Sequence, residues 1–421
     1  MVPGPPARVP FGPVDMKALA LILLPTLALA APPAGPRRIT SLLVPLDATA
    51  EASGPKMESY MNDALAQFQG YSLRKPDELF GLPPDTEAEA SLKRGQQGYQ
   101  ESLAAFEKKD YEDAERKVRA TLKELQSAVA AMPTSCNPLC DATALYAALM
   151  LLRGDVEEAK LALLDLMALN PTYELDTRRF NRDLLALRVQ VATGVNAAMR
   201  GGATVKSRPA GARVYIDGDF KGYTPLTVPT LAVGKHLLRL ERPGFRQYGH
   251  LLEVSPEDAE VSATLQPTEA YKSYDMKLDT VAADVARTGT GVSHTVVGLG
   301  KQLGLERGLL GTVRDQPDSN TTELVLALFD MSSGKRLGTR RVVLQGDEFG
   351  QLKSEMHRLV NHLLNNVEGG AEKKVKSSDP LENAHGMDEW NAEDQGGKRR
   401  TQEKRKKGGD PLDGVNGTEE W

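Results

Sequence analysis

ATVKSRPAGARVYIDGDFKGYTPLTVPTLAVGKHLLRLERPGFRQY, residues 203–248, is the stretch whose reading decides the fold. Arg213-Val214-Tyr215-Ile216 alternates polar and apolar side chains and ends at Asp217-Gly218, a pair suited to a tight hairpin turn. Gly222 precedes a second short strand, Thr224 to Val228, and Val233-Gly234-Lys235 turns into a third, His236 to Glu241. Pro243-Gly244 breaks the chain again, and Tyr248 to Val254 and Glu260 to Leu265 supply two more. Short strands separated by Gly/Pro turns at this spacing predict a sandwich or small barrel. Asp217 reads as a turn residue whose side chain caps its own backbone.

Ser207-Arg208-Pro209-Ala210-Gly211-Ala212, then Val214 to Gly218, Gly222-Tyr223-Thr224-Pro225-Leu226 and Gly234-Lys235-His236 together resemble the PEGA domain. The resemblance implies a small β-sandwich over residues 203–266, of the kind found in bacterial envelope proteins. It implies a contact surface and no catalytic role.

Upstream, Leu92 to Val191 is helical in pattern. Tyr99 to Phe106, a turn at Lys109-Asp110-Tyr111, and an amphipathic run from Ala114 to Val129 form one helix–turn–helix. Leu145 to Leu152, Arg153-Gly154-Asp155, and Ala159 to Leu169 form another, 45 residues on from Asp110 to Asp155. Both units resemble tetratricopeptide repeats, which implies close helix pairs packed through Ala114 and Ala159. An ordinary helical bundle is the other reading. Either way Leu149, Leu152, Leu161, Leu164 and Met167 are expected in the core. Tyr173 to Val191 is expected as a capping helix.

The flanks read as α/β. Ile39 to Pro45 is a strand, Met57 to Phe68 a helix through Met57, Tyr60, Met61, Ala64, Leu65 and Phe68, and Tyr71 to Leu73 a second strand. Far downstream, Leu309 to Val313, Glu323 to Asp330 and Lys335 to Leu344 are strands, and Phe349 to Leu364 an amphipathic helix. Leu310-Gly311-Thr312-Val313, Leu324 to Asp330 and Ser333-Gly334 resemble the α/β domain of the N-terminal part of TolB and of curli-secretion-type outer-membrane proteins. That resemblance implies one split domain, 39–85 with 276–367, carrying the rest as an insertion. Two independent small domains are the alternative. The expected class is multidomain α+β.

The N-terminus carries an address. Met16-Lys17 precedes the apolar run Ala18 to Leu29, and Ala28-Leu29-Ala30 is a small-x-small cleavage pattern. The run is too short for a stable membrane anchor. We expect a cleaved signal peptide over 1–30, with Met16 the true start, a linker over 31–38 and a periplasmic location; an uncleaved apolar helix is the other reading. No Cys follows the run, so no lipoprotein acylation is expected. In that oxidising compartment Cys136 and Cys140, the only two cysteines, are expected to form a local disulfide. A metal site would need two more ligands, and a redox pair normally has a two-residue spacer.

From Glu368 the composition shifts to Gly, Lys, Glu, Asp and Asn, which predicts a disordered tail over 368–421. Both tryptophans of the chain lie there, ending two copies of one motif 31 residues apart: Asp379-Pro380-Leu381 through Glu389-Trp390, and Asp410-Pro411-Leu412 through Glu420-Trp421. Leu381, Trp390, Leu412 and Trp421 are therefore candidate partner-binding residues, doubled for avidity. The basic run between them, Lys398 to Lys407, suits an anionic lipid or cell-wall surface, or is a solvating charge run.

A net charge of −5 gives no sign of a nucleic-acid partner. No H-E-x-x-H or G-x-S-x-G occurs, and Gly298-Leu299-Gly300-Lys301 fails as a phosphate loop, with Gln302 where Ser or Thr is needed. His357 and His362 are five apart, the wrong spacing for metal ligands on one helix face. We expect no catalysis, no cofactor, no metal and no small-molecule substrate. The expected function is a periplasmic scaffold or adaptor binding envelope proteins, in an architecture similar to accessory proteins of gliding-motility, secretion and outer-membrane-assembly machines. The alternative is a peptidoglycan- or polysaccharide-binding protein using Arg239, Arg242, Phe245, Arg246 and Tyr248 as a basic-aromatic face.

Overall fold

The computed structural model describes residues 35–132, 135–194, 198–287, 289, 291–345 and 351–368, together with Gly4. The expected signal peptide over 1–30 and the tail with Leu381, Trp390, Leu412 and Trp421 lie outside the described residues. The class is α+β.

Strand β1 (Arg37–Pro45) takes in the last two residues of the expected linker, because Arg37 already pairs with Tyr71. It leads into α1 (Ala48–Leu65), capped by the Asp47 side chain on Ala50 N–H, and then β2 (Tyr71–Leu73) and α2 (Pro76–Phe80). A helical layer follows: α3 (Thr86–Glu107), α4 (Tyr111–Ser127), a 3-10 turn Val129–Ala131, α5 (Leu139–Arg153), α6 (Val156–Leu169) and α7 (Arg182–Thr193). The β-module comprises β3 (Arg200–Arg208), β4 (Arg213–Ile216), β5 (Asp219–Tyr223), β6 (Leu226–Ala232), β7 (Gly234–Glu241), β8 (Tyr248–Val254) and β9 (Ala259–Thr264). The chain then makes α8 (Glu269–Asp275), α9 (Leu278–Ala286), α10 (His294–Leu303), β10 (Arg307–Gln316), β11 (Thr321–Asp330), β12 (Lys335–Gln345) and α11 (Leu352–Glu368).

The five-stranded sheet β12-β11-β10-β1-β2 draws strands from both ends of the chain. β1 pairs in parallel with β10, Ile39 opposite Arg307 through Pro45 opposite Val313, and β10 and β11 pair antiparallel over their full length. As an inner strand of a sheet covered on both faces, β1 is buried on both, which suits its ITSLLV run of apolar residues and small Thr40 and Ser41. Ile39 and Leu43 face α1 and α11, with Met57, Met61, Met356 and Val360. Leu42 and Val44 face α8, α9 and α10, with Tyr274, Val281 and Val296.

The two helix–turn–helix units share their turn geometry. Asp110 and Asp155 cap α4 and α6 with nearly identical backbones (φ −86 and ψ 78, φ −86 and ψ 74), each accepting an N–H three residues on. The residues just before them, Lys109 and Gly154, both have left-handed φ (64 and 88). Ala114 and Ala159 are fully buried. In α3, Gly95 and Gly98 lie against Leu125 and Thr121 of α4 with no room for a Cβ. Cys136 and Cys140 form a disulfide at the start of α5.

Two expectations for this layer are corrected. Leu149 is buried, but Leu152 and Leu161 are 46% and 57% exposed, since no described element covers that side of α5 and α6. The helix expected from Tyr173 begins only at Arg182. Asn170 and Asp176 instead accept backbone N–H groups two residues ahead, turn geometry that competes with helix until Asn181 caps α7.

In the β-module, sheets β6-β3-β9 and β5-β4-β7-β8 bury one common cluster that includes Val205, Val214, Ile216, Leu238, Leu240 and Leu252. The strand that pairs with β4 across Asp217-Gly218 is Asp219–Tyr223, earlier than the expected Thr224 to Val228. Asp217 does occupy the turn, at φ 52, but its side chain reaches the neighbouring strand: it accepts Leu237 N–H at 2.8 Å and a ring nitrogen of His236 at 2.6 Å.

Candidate functional site

The β-module meets the rest of the chain in two different ways. Against the helical layer the contact is closed. Leu237 of β7 belongs to the helical core, and Leu251 of β8 packs on it. A Cβ at Gly249 would lie 2.0 Å from Ala130 N, so the strand backbone rests directly on the 3-10 turn. Lys235 pairs with Asp165 of α6 at 2.8 Å, and Arg239 donates to Met132 O at 3.1 Å.

Against the sheet domain the contact leaves a cleft of about 530 Å³, lined by α1, α2, α8 and the module. Its floor is α1. Asn62 accepts from Ser41 N–H and Ser41 Oγ (3.2 and 2.8 Å), which locks the helix onto β1. One turn earlier, Glu58 accepts Leu43 N–H through Oε2 at 3.2 Å. One turn earlier still, Gly54 has nothing within 4 Å of where a Cβ would stand, although its backbone is buried. The opposite wall is aromatic: Phe80 and Tyr274 have ring centroids 4.7 Å apart, and Tyr271 lies 6.0 and 5.8 Å from them. Two arginines close the rim. Arg213 grips Asp77 with two hydrogen bonds (2.8 and 3.0 Å), and Arg242 donates to Ala210 O and stacks over Phe245.

Glu58 is walled by protein yet keeps part of its surface open to the cleft. Burial pushes its carboxyl up to about 8, against the Leu43 N–H and the Arg242 charge, which favour the anion. Tyr274 is 5% exposed, and burial, then the Glu58 charge, hold its phenol well above the usual range. Among the described residues neither Glu58 Oε1 nor the Tyr274 hydroxyl has a hydrogen-bond partner, and neither is sealed from the cleft. At neutral pH the site therefore presents a protonated carboxyl, a phenol and apolar walls.

Elsewhere, the disulfide is buried under the helical layer, remote in role from the cleft. The five residues read as a basic-aromatic face do not form one. Phe245 is buried, Arg239 is held by Glu241 and Met132 O, and Arg242 is nearly enclosed, leaving Arg246 as the exposed member. Those side chains join the module to its neighbours. The cleft residues Glu58, Tyr274 and Arg242 were not singled out by the sequence as one site. The available signal was Gly54, Glu58 and Asn62 at i, i+4 spacing beside the Met57–Met61 apolar stripe, with a glycine inside a helical pattern.

Residues 200–269 match the family model of the PEGA domain. That match ends at the first residue of α8, so it takes in the whole β-module. No curated protein is significantly similar to the chain.

Proposed function

We propose that the protein is a non-enzymatic adaptor of the bacterial envelope, working in the periplasm after export through residues 1–30. The observation that carries this reading is a groove of about 610 Å³ on the helical layer, where Tyr111 and Leu152 stand largely exposed beside Phe106 and Phe180. Lys109, Arg178 and Arg179 line the same groove together with Glu107 and Asp176, which suits a partner segment with an apolar side chain flanked by polar or charged neighbours. In this reading α3–α4 and α5–α6 are tetratricopeptide-like repeats and the two-sheet PEGA module is a small sandwich that holds them rigid. The sheet domain is a split α/β domain like that of TolB, and the Trp390 and Trp421 motifs are a second docking element.

In-cell crosslinking with mass spectrometry tests this, comparing the full chain with Tyr111→Glu/Leu152→Glu and with a version ending at Val367. Envelope proteins recovered with the full chain and depleted in either variant are the expected result. Recovery of cell-wall material without protein partners would overturn the adaptor reading.

A further inference from the structure

The cleft between α1, α8 and the β-module is a second site, unrelated to the helical groove. Three independent features converge there. The first is shape: Gly54, a helical glycine that costs roughly 1 kcal/mol relative to Ala, stands on a helix face where a Cβ would meet nothing within 4 Å. Its effect is to keep the floor of the cleft empty. The second is unmet polarity: Glu58 Oε1 and the nearly buried Tyr274 hydroxyl, 216 positions apart in sequence, both open into that space without partners among the described residues. The third is the wall of Phe80, Tyr271 and Tyr274, whose rings attract cations.

The surrounding charges decide the sign of the ligand. Arg213 is paired with Asp77 and Glu241, Arg242 with Glu51 at 3.7 Å, and Asp63 with Lys353 at 3.5 Å. That leaves Lys75 against Asp275 and Glu58, so ionised Glu58 is the one acid in excess. We propose that the cleft binds a small organic cation, an amphipathic amine whose ammonium group pairs with the Glu58 carboxylate and the Tyr274 oxygen while its apolar body lies over Gly54 against the aromatic wall. Pockets of this size with few convergent polar groups, set between domains, are the usual form of small-molecule sites.

Binding takes up the ligand as a cation and expels the proton of Glu58. Because that carboxyl is pushed up to about 8, affinity rises up to about tenfold per pH unit below that value and levels off above it.

Isothermal titration of the full chain with hexylammonium, with hexanol and hexanoate as matched probes, tests the proposal. The expected result is saturable binding of the amine alone, with about one proton released near pH 6.5, read from buffers of different ionisation enthalpy. Glu58→Gln retains the size and the bond to Leu43 N–H, and is expected to weaken amine binding roughly ten- to a hundredfold and to abolish its pH dependence. Gly54→Leu fills the floor and is expected to block it, while circular dichroism confirms that both variants fold. Equal binding of hexanol, preference for hexanoate, binding indifferent to Gly54→Leu, or no saturable amine binding at millimolar concentration would each overturn the proposal.

Discussion

The two junctions of the β-module present opposite solutions to the same packing problem. Toward the helical layer, Gly234 and Gly249 remove side chains so that backbone meets helix: a Cβ at Gly234 would lie 2.7 Å from Ala168 Cβ. Toward the sheet domain, Gly211 also seats the module on α1, where a Cβ would lie 2.5 Å from Pro55 Cγ, but beside it Gly54 removes a side chain and nothing fills its place. The same residue type closes one interface and, at Gly54, opens the other. The difference teaches that a glycine's meaning lies in what faces it across the fold, which a local pattern cannot show. A closed junction transmits rigidity; an open one lined with unpartnered polar groups is suited to a ligand.

The comparison breaks first at its extremes. Gly249→Val drives a branched side chain into the backbone of Val129 and Ala130, and is expected to cost about 3 kcal/mol or more. Gly54→Leu meets open space and is expected to change stability by no more than about 1 kcal/mol, the helix propensity gained being set against crowding of the new Cβ by the Pro55 ring. Urea denaturation of the two variants side by side checks the contrast, and equal losses would dissolve it.

The open junction carries a pH signature. Folded Glu58 holds its proton up to about 8, while unfolded Glu releases it near 4.5, so between those values the native state binds more protons and stability falls as pH rises. Glu58→Gln removes that loss and is expected to stabilise the chain by on the order of 3 kcal/mol at pH 8 and by little at pH 4.5. Denaturation curves at the two pH values decide it.

A third test lies inside the module, where stability again falls as pH rises but the substitution destabilises. Burial lowers the His236 pKa, but the Asp217 hydrogen bond and charge outweigh it, and the pKa is raised. Both ring nitrogens face acceptors, Asp217 Oδ2 at 2.6 Å and Ala232 O at 2.8 Å, so the imidazolium satisfies both. Its stabilisation is complete below the unfolded pKa near 6.5 and is lost as pH rises through the higher folded value. His236→Ala is expected to cost about 2 kcal/mol at pH 6 and less at pH 9, measured by the same denaturation assay. A cost that does not change with pH would show that the ring acts by packing alone.

The smallest expected effect concerns the turns of the helical layer. Lys109 and Gly154 occupy equivalent left-handed positions in the two helix–turn–helix units. Lys109→Gly is expected to stabilise by about 0.5–1 kcal/mol, seen as a rise in Tm of a few degrees. No gain would mean that Lys109 carries its conformation without strain.

What the sequence alone determined here is what depends on near neighbours. The Asp217-Gly218 hairpin, the strand at Tyr248–Val254, the turns at Asp110 and Asp155, and the apolar stripe of Met57, Met61, Ala64 and Leu65 all follow from spacings of two to four residues. The Cys136–Cys140 disulfide is local in the same sense. Starts and ends were less legible, as at Arg182, because Asx turns and helix draw on the same local residues.

Tertiary structure decided the rest. It sent Arg239, Arg242 and Phe245 inward, left Leu152 and Leu161 in solvent, and set Tyr274 across from Glu58. Burial depends on every element packed around a residue, and a carboxyl's pKa depends on the solvent those elements exclude. Neither quantity belongs to any short segment, so the cleft exists only once β1 and β10, more than 260 residues apart, have paired.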